Sequence, residues 1–428
     1  MIALTVTFLI LLVLGAPIAI VLGASSLAYI IAADNARMLL VIPQKLYQGT
    51  DNFILLAIPF YLLAGELMNA TGITQRLIHF FTTLLGHVRG ALAQVSIVTS
   101  MMFSAISGTA ASDAAAVGGV MIPAMKREGY DPAFAAAVQA ASSTIAPIIP
   151  PSMVMILYAV FANISVAAIF AAGVLPGIIL GLSQMMIVWI KARSGTLPPP
   201  APRAARHEVA SGFRDALLAF GMPVLILGGI LSGAFTATEA AAVAVVYAAI
   251  LGFTIYRNLT LPIVGKLLIR TAITTGGLLL IAATGYLFAW IMASEQIPTK
   301  AAQLMLAISE NPVAFLLMVN ILLLLLGTFM DTLAALIIVV PMLSPVAAQV
   351  GIDPVHFGVV VCFAIIQGML TPPLGLLLFI VSQIARVRFE AVIRAIMPFL
   401  AVNLAVLLAI SLAPGFVLFL PRLLGLIE

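Results

Sequence analysis

Residues 133 to 190 run for 58 positions without one Asp, Glu, Lys or Arg. Soluble domains carry roughly 25% charged residues, so no water-facing fold accommodates such a stretch. A helix of about 20 apolar residues, by contrast, crosses a hydrocarbon layer about 30 Å thick. Apolar runs of this character recur near 2–33, 52–70, 90–112, 114–125, 133–162, 164–190, 216–235, 237–256, 271–294, 311–330, 332–350, 356–384 and 395–421. Over the 428 residues, 8% are charged and 63% hydrophobic, and the mean hydropathy is +1.24. In lipid the backbone must satisfy its own hydrogen bonds, which favours helices. The sequence therefore predicts an all-α, polytopic integral membrane protein with no room for an extramembrane domain.

The net charge of +4 does not mark a nucleic-acid binder, because the basic residues are scattered over short loops instead of forming a stripe. They read as topology signals. Lys191, Arg193, Arg203, Arg206 and Arg214 outweigh the single acid Glu208 between positions 191 and 214, which places that loop in the cytoplasm. The lone Cys362 excludes an intrachain disulfide. The first 33 residues carry no charge; lacking a basic n-region and a cleavage site, they are expected to be retained as one long or two short helices.

The proline-rich stretch 197–202 (LPPPAP) sits beside the basic loop and divides the chain near its midpoint. On either side the same punctuation recurs. Asp131-Pro132 is followed by Pro150-Pro151, and Asp353-Pro354 by Pro372-Pro373, each 19 residues on. Upstream, Gly108, Asp113 and Pro123 are echoed by Gly327, Asp331 and Pro341, with 10 residues from Asp to Pro in each case. Two repeats follow, 1–190 and 214–428, joined by a linker at 191–213. Each holds a re-entrant hairpin, near 90–125 and 311–350, and a broken helix, near 133–162 and 356–384. With alternating orientation the repeats are inverted.

The broken stretches carry the chemistry. Pro147, Pro150 and Pro151 remove donors and clash with preceding carbonyls, freeing backbone oxygens that hydrocarbon cannot satisfy. Ser142, Ser143, Thr144 and Ser152 add hydroxyls, and hard cations take shells of oxygen. The matching stretch holds Gln367, Thr371, Pro372 and Pro373. Either stretch alone reads equally as ordinary proline kinks; their recurrence in both halves points to a midplane site. The hairpin tips, 104–113 and 327–332, concentrate hydroxyls and small residues around Asp113 and Asp331. Intramembrane carboxylates are costly and suggest ion binding, although each Asp also suits a helix cap.

Glu66 and Glu239 interrupt apolar runs and fit a membrane interface or a site; Glu295 and Asp51 fit loops. His79, His87, His207 and His356 lack metal-ligand spacing, and neither a P-loop nor a dinucleotide fingerprint is present. The sequence thus implies no enzyme and no cofactor. An intramembrane aspartyl hydrolase built on Asp113 and Asp331 is an alternative of a different class.

Four segments together resemble the large membrane subunit of tripartite ATP-independent periplasmic (TRAP) transporters: 58–69 (IPFYLLAGELMN), 107–116 (SGTAASDAAA), 148–152 (IIPPS) and 236–244 (TATEAAAVA). The resemblance covers nearly the whole chain. It implies an elevator-type, sodium-driven carrier in the bacterial inner membrane that imports a small organic acid. It also implies two partners, a small four-helix membrane subunit and a soluble periplasmic binding protein. Because this chain begins directly in the large subunit, the small one is expected as a separate chain. A stand-alone ion-coupled symporter or antiporter is the alternative.

By the same resemblance a sodium site falls on Ser107, Gly108, Thr109 and Asp113, with Ser143 and Pro147 of the first break. Thr109 stands where Ser is usual, which keeps the hydroxyl and adds a methyl. Through the repeat, a second sodium site falls on Gly327, Thr328, Asp331 and Thr371. Pro150, Ser152, Thr332 and Pro372 are the candidate substrate contacts. No membrane-embedded Arg identifies the solute.

Overall fold

The computed structural model describes residues 1–33, 36–297, 299–300, 303 and 311–427; the remaining positions of the two expected repeats lie outside the described residues. All regular structure among them is helical, and eight helices are long and apolar enough to cross a membrane. The first charge-free segment is two short helices, α1 (Ile2–Val13) and α2 (Ile18–Ala32), separated at Pro17, where a helix interior would lose a donor. Then come α3 (Val41–Thr50), α4 (Ala57–Ala70) and α5 (Ile73–Leu85).

The first hairpin is α6 (Ala91–Ser107) and α7 (Ala110–Arg127), and the first broken helix is α8 (Pro132–Ser143) and α9 (Met153–Ala162). After α10 (Val166–Arg193) the chain continues through α11 (Arg206–Leu231), α12 (Ala237–Ile250) and α13 (Leu261–Ser294). The second hairpin is α14 (Pro312–Phe329) and α15 (Thr332–Gln349), the second broken helix α16 (Pro354–Gly368) and α17 (Leu376–Ala385). The long α18 (Phe389–Leu412) follows.

The first hairpin turns at Gly108 and Thr109, inside the expected tip 104–113, because Gly108 takes a left-handed conformation (φ +60°) and Thr109 caps the next helix. Other boundaries differ from expectation. Helix α11 starts at Arg206, inside the expected linker, where Glu208 Oε2 accepts the backbone N–H of Ala205 at 2.9 Å. Helix α13 extends back from residue 271 to Leu261, carrying Lys266 and Arg270 within it.

The helix caps put the two halves in register at a constant offset of 222 residues. Thr109 and Asp331 cap α7 and α15, Pro123 and Pro345 lie within those helices, and Asp131 and Asp353 cap α8 and α16. Gly129 and Gly351 both have positive φ, and the bonds Pro150-Pro151 and Pro372-Pro373 are both cis. This corrects the pairing of Asp113 with Asp331, which has an offset of 218. Helix α15 contains two prolines, Pro341 and Pro345, and the spacing alone chose the wrong one; the counterpart of Asp113 is Ala335.

Packing between the halves is reciprocal. Helix α9 lies against α15 and α16, while α17 lies against α7 and α8. Tyr158 Oη donates to Pro354 O at 2.9 Å, and Lys126 Nζ to Ala385 O at 2.7 Å. Close approach is available because the central helices are built from small residues: Ala135, Ala136, Ala137, Ala140 and Ala141 of α8 are all fully buried. In lipid such contact, more than apolar transfer, holds helices together. Around this centre, α13 packs on α2, α3, α4 and α15, and α12 on α4. A smaller apolar cluster, with Leu22, Tyr29, Phe288 and Ile291, ties α2 to α13.

Candidate functional site

Asp113 lies in the first turn of α7 and is 0% exposed. Thr109 caps that helix, its hydroxyl accepting the N–H of Ser112 at 3.3 Å, so the Asp113 carboxylate is free of capping duty. Its Oδ2 instead accepts three side-chain donors: Ser143 Oγ at 2.7 Å, Ser100 Oγ at 2.8 Å and Gln139 Nε2 at 3.1 Å. Ser96 in turn donates to Gln139 Oε1 at 2.7 Å, and Ser142 Oγ lies 3.1 Å from Ser100 Oγ. The second carboxylate oxygen, Oδ1, is buried with no hydrogen-bond partner among the described residues. The one Lys or Arg ion pair among them, Arg270 with Glu66, lies elsewhere.

Ser100 and Gln139 were not among the sequence candidates, yet the signal exists. Ser96, Ser100 and Ser104 recur every four residues along one face of an apolar helix, as do Gln139 and Ser143 on the facing helix. Polar side chains aligned this way inside lipid-facing sequence mark a shared network.

The hairpin tip is seated on the first break. Ser104 Oγ donates to Ile149 O at 2.7 Å, and a Cβ added to Gly108 would lie 2.9 Å from Pro151 O. Within the break, Ser152 Oγ donates to Pro147 O at 2.5 Å and accepts the N–H of Met155 at 3.2 Å. Ser107 makes only a long contact, 3.5 Å from its hydroxyl to Thr109 O. Thus the tip at Gly108 and the Asp113 carboxylate both meet the first break, the one at Pro151 and the other at Ser143, while the Ser107 and Thr109 hydroxyls are engaged within the tip and the Pro147 carbonyl with Ser152. Pro150 and Ser152 are buried in the break.

The second tip is arranged differently. Gly327 meets Gly368, where an added Cβ would lie 2.6 Å from Gly327 Cα. Thr332 Oγ1 contacts Met369 Sδ at 2.8 Å, so tip and break are joined here too. Asp331, however, is exposed and serves as the cap of α15, accepting the N–H of Leu333 at 3.0 Å. Thr328 and Thr371 donate to Leu324 O and Gln367 O in their own helical turns, each at 2.8 Å. Pro372 is partly exposed beside exposed Pro373 and Leu374. With no partner in common, Asp113 and Asp331 form no hydrolase dyad.

The other carboxylates have local explanations. Glu239 accepts from Thr236 N at 2.8 Å and closes a capping box at the start of α12. Glu66 pairs with Arg270 at 3.4 Å, and Glu295 accepts the Tyr29 hydroxyl. Asp51 follows the last residue of α3. Among the described residues no group of three His, Cys, Asp or Glu side chains is placed to hold a metal ion.

Residues 5–416 match the family described as "Tripartite ATP-independent periplasmic transporter, DctM component". The sialic acid TRAP transporter large permease protein SiaM of Vibrio cholerae is 41% identical over 410 residues, 96% of this chain and 95% of that protein. The C4-dicarboxylate TRAP transporter large permease protein DctM of Pseudomonas aeruginosa is 40% identical over 393 residues, 92% and 91% of the two chains. The isethionate TRAP transporter permease protein DctMQ of Oleidesulfovibrio alaskensis is 37% identical, covering 96% of this chain and 65% of that one. In fold, the crystal structure of the Alcanivorax borkumensis YdaH transporter superposes with a TM-score of 0.63 at 16% identity, over 90% of this chain and 89% of the other.

Proposed function

The chain belongs to the tripartite ATP-independent periplasmic (TRAP) transporter family as its large permease component, an inner-membrane transporter subunit and not an enzyme, and on that premise we propose that it imports a small organic anion in symport with sodium. The Asp113 junction carries the sodium reading. Its buried Oδ1 lacks a partner while Oδ2 is saturated by Ser100, Gln139 and Ser143. An uncompensated carboxylate in a dry interior costs several kcal/mol, and oxygen-rich surroundings suit a hard cation. Ser107, Gly108 and Thr109 at the tip seated on the same break, and the Pro147 carbonyl within it, are the further oxygens assigned to this ion. A second ion is assigned to Gly327, Thr328, Asp331 and Thr371 at the other tip.

The repeats are inverted on this reading. With the basic loop after α10 in the cytoplasm, α7 ends there with Lys126 and Arg127, while the second hairpin opens from the opposite side. The constant register of caps and the reciprocal packing of α9 on α15 and α17 on α7 support this. Solute binds between the two breaks, near Pro150, Ser152, Thr332 and Pro372. Since Pro150 and Ser152 are buried, the first tip must part from its break to admit it. The hairpins and broken helices then move as one unit against the outer helices.

The named relatives act on sialic acid, C4-dicarboxylates and isethionate, so the class proposed is a small solute bearing a carboxylate or similar anionic group. A small four-helix membrane subunit and a soluble periplasmic binding protein are the proposed partners. Proteoliposomes holding both membrane subunits test the reading with labelled sialic acid, succinate and isethionate. Uptake of one of them is expected only with its binding protein outside and an inward sodium gradient. Uptake without the binding protein overturns the tripartite reading; equal uptake in potassium overturns the sodium one.

A further inference from the structure

Helices α10 and α18 each bury one amide in apolar sequence: Gln184 and Asn403 are both 0% exposed. Gln184 Nε2 donates to Ala141 O at 3.0 Å and to Asn403 Oδ1 at 3.1 Å, and Asn403 Nδ2 donates to Gln367 Oε1 at 2.9 Å. An unbroken chain of hydrogen bonds therefore runs from the last turn of α8 to the last turn of α16, one broken helix to the other. Its direction is dictated by chemistry. The Ala141 carbonyl can only accept, so Gln184 must turn its nitrogen there, Asn403 its oxygen toward Gln184, and Gln367 its oxygen toward Asn403.

Both ends abut the proposed ion ligands. Ala141 immediately precedes Ser142 and Ser143, whose hydroxyls meet Ser100 and Asp113. At the other end the backbone oxygen of Gln367 accepts the Thr371 hydroxyl at 2.8 Å. In a dry interior a polar group that loses its partner finds no water to replace it, so the last turns of α8 and α16 are held to one relative position.

We propose that Gln184 and Asn403 are positioning residues that couple the two ion sites across the halves of the protein. An ion at Asp113 orders the end of α8; the amide chain passes that constraint to the end of α16, and the second ion binds a site already ordered. This rests on the sodium reading above. The two are separated by titrating the purified full chain with NaCl against choline chloride and following thermal stabilisation. The wild-type protein is expected to show a Hill slope approaching roughly 2, one per coupled site. Asn403→Leu and Gln184→Leu should bring the slope to roughly 1 and raise half-saturation about 5-fold or more. The double variant should be no worse than either single one, and the exchanged pair Q184N with N403Q should recover the slope. Should the Leu variants fail to fold, Asn403→Ser, which stays polar but cannot span the gap, gives the same readout. A wild-type protein indifferent to NaCl overturns the sodium reading and this coupling with it. A wild-type response with a slope of one, a cooperative N403L, or single effects that multiply in the double variant overturns the coupling alone.

Discussion

The Ser143 hydroxyl donates to Asp113 Oδ2 at 2.7 Å, tying the last residue of α8 to the first turn of α7. Hairpin and broken helix thus share one carboxylate. A hydrogen bond to a charged group contributes about 1.5–3 kcal/mol, so Ser143→Ala should raise the sodium concentration for half-maximal uptake by about 10-fold or more. Uptake at saturating sodium should persist, since Ser100 and Gln139 still hold the carboxylate. Sodium titration of proteoliposome uptake reads both quantities.

Removing the charge itself should act with the opposite sign on stability. Asp113→Asn keeps the shape and abolishes an ionised group buried without a cationic side chain, a burial that costs several kcal/mol. In sodium-free choline chloride the variant should melt at or above the wild-type temperature. Added NaCl should then stabilise the wild type and leave the variant unmoved. A variant that retains the wild-type sodium shift removes Asp113 from the ion site.

How far these residues were legible in the sequence depends on how local their causes are. Asp131-Pro132, Asp353-Pro354 and the two Pro-Pro pairs act on their own backbone, so their recurrence could be read from the spacing, although the capping role of Asp131 and Asp353 was not. The partners of Asp113 come from α6 and α8, and only tertiary packing brings them together. The Ser96, Ser100, Ser104 periodicity was the available trace of that contact. The second tip was misregistered because Pro341 and Pro345 compete as the echo of Pro123, a tie that the cap at Asp331 resolves. Capping fits Asp331 and not Asp113, because Thr109 already occupies the cap position of α7.

Gly108 has both a left-handed conformation (φ +60°) and the Pro151 carbonyl 2.9 Å from where a Cβ would stand. Gly108→Ala should therefore destabilise the protein by about 1–3 kcal/mol, combining backbone strain with overpacking. Gly119, in the interior of α7, has no atom within 4 Å of an added Cβ. Gly119→Ala should be neutral or stabilising by up to about 1 kcal/mol. Melting temperatures of the two variants, measured side by side, check that the tip must seat closely on the break.

Glu66 pairs with an Arg270 side chain that is 72% exposed. Exposed pairs contribute roughly 0–1 kcal/mol. Glu66→Gln should accordingly leave the melting temperature nearly unchanged and sodium-driven uptake within about 2-fold of wild type, given so small a contribution. A loss of uptake beyond about 10-fold, about 1.4 kcal/mol, would show that the carboxylate serves transport and not only the pair.

Asp331 poses the sharper question, because one side chain is offered two duties. It caps α15 by accepting the Leu333 N–H at 3.0 Å, and as a carboxylate it is assigned to the second ion. Asparagine caps helices about as well as aspartate, so Asp331→Asn preserves the first duty and removes the charge needed for the second. The variant should keep the wild-type melting temperature in choline chloride while uptake at limiting sodium falls about 10-fold or more, the scale of one lost charge-assisted contact. Asp331→Ala should lose the cap as well and melt lower, corresponding to about 1 kcal/mol. Normal uptake by the Asn variant together with a lowered melting point for the Ala variant would assign Asp331 to the cap alone and leave Gly327, Thr328 and Thr371 without a carboxylate at the second tip.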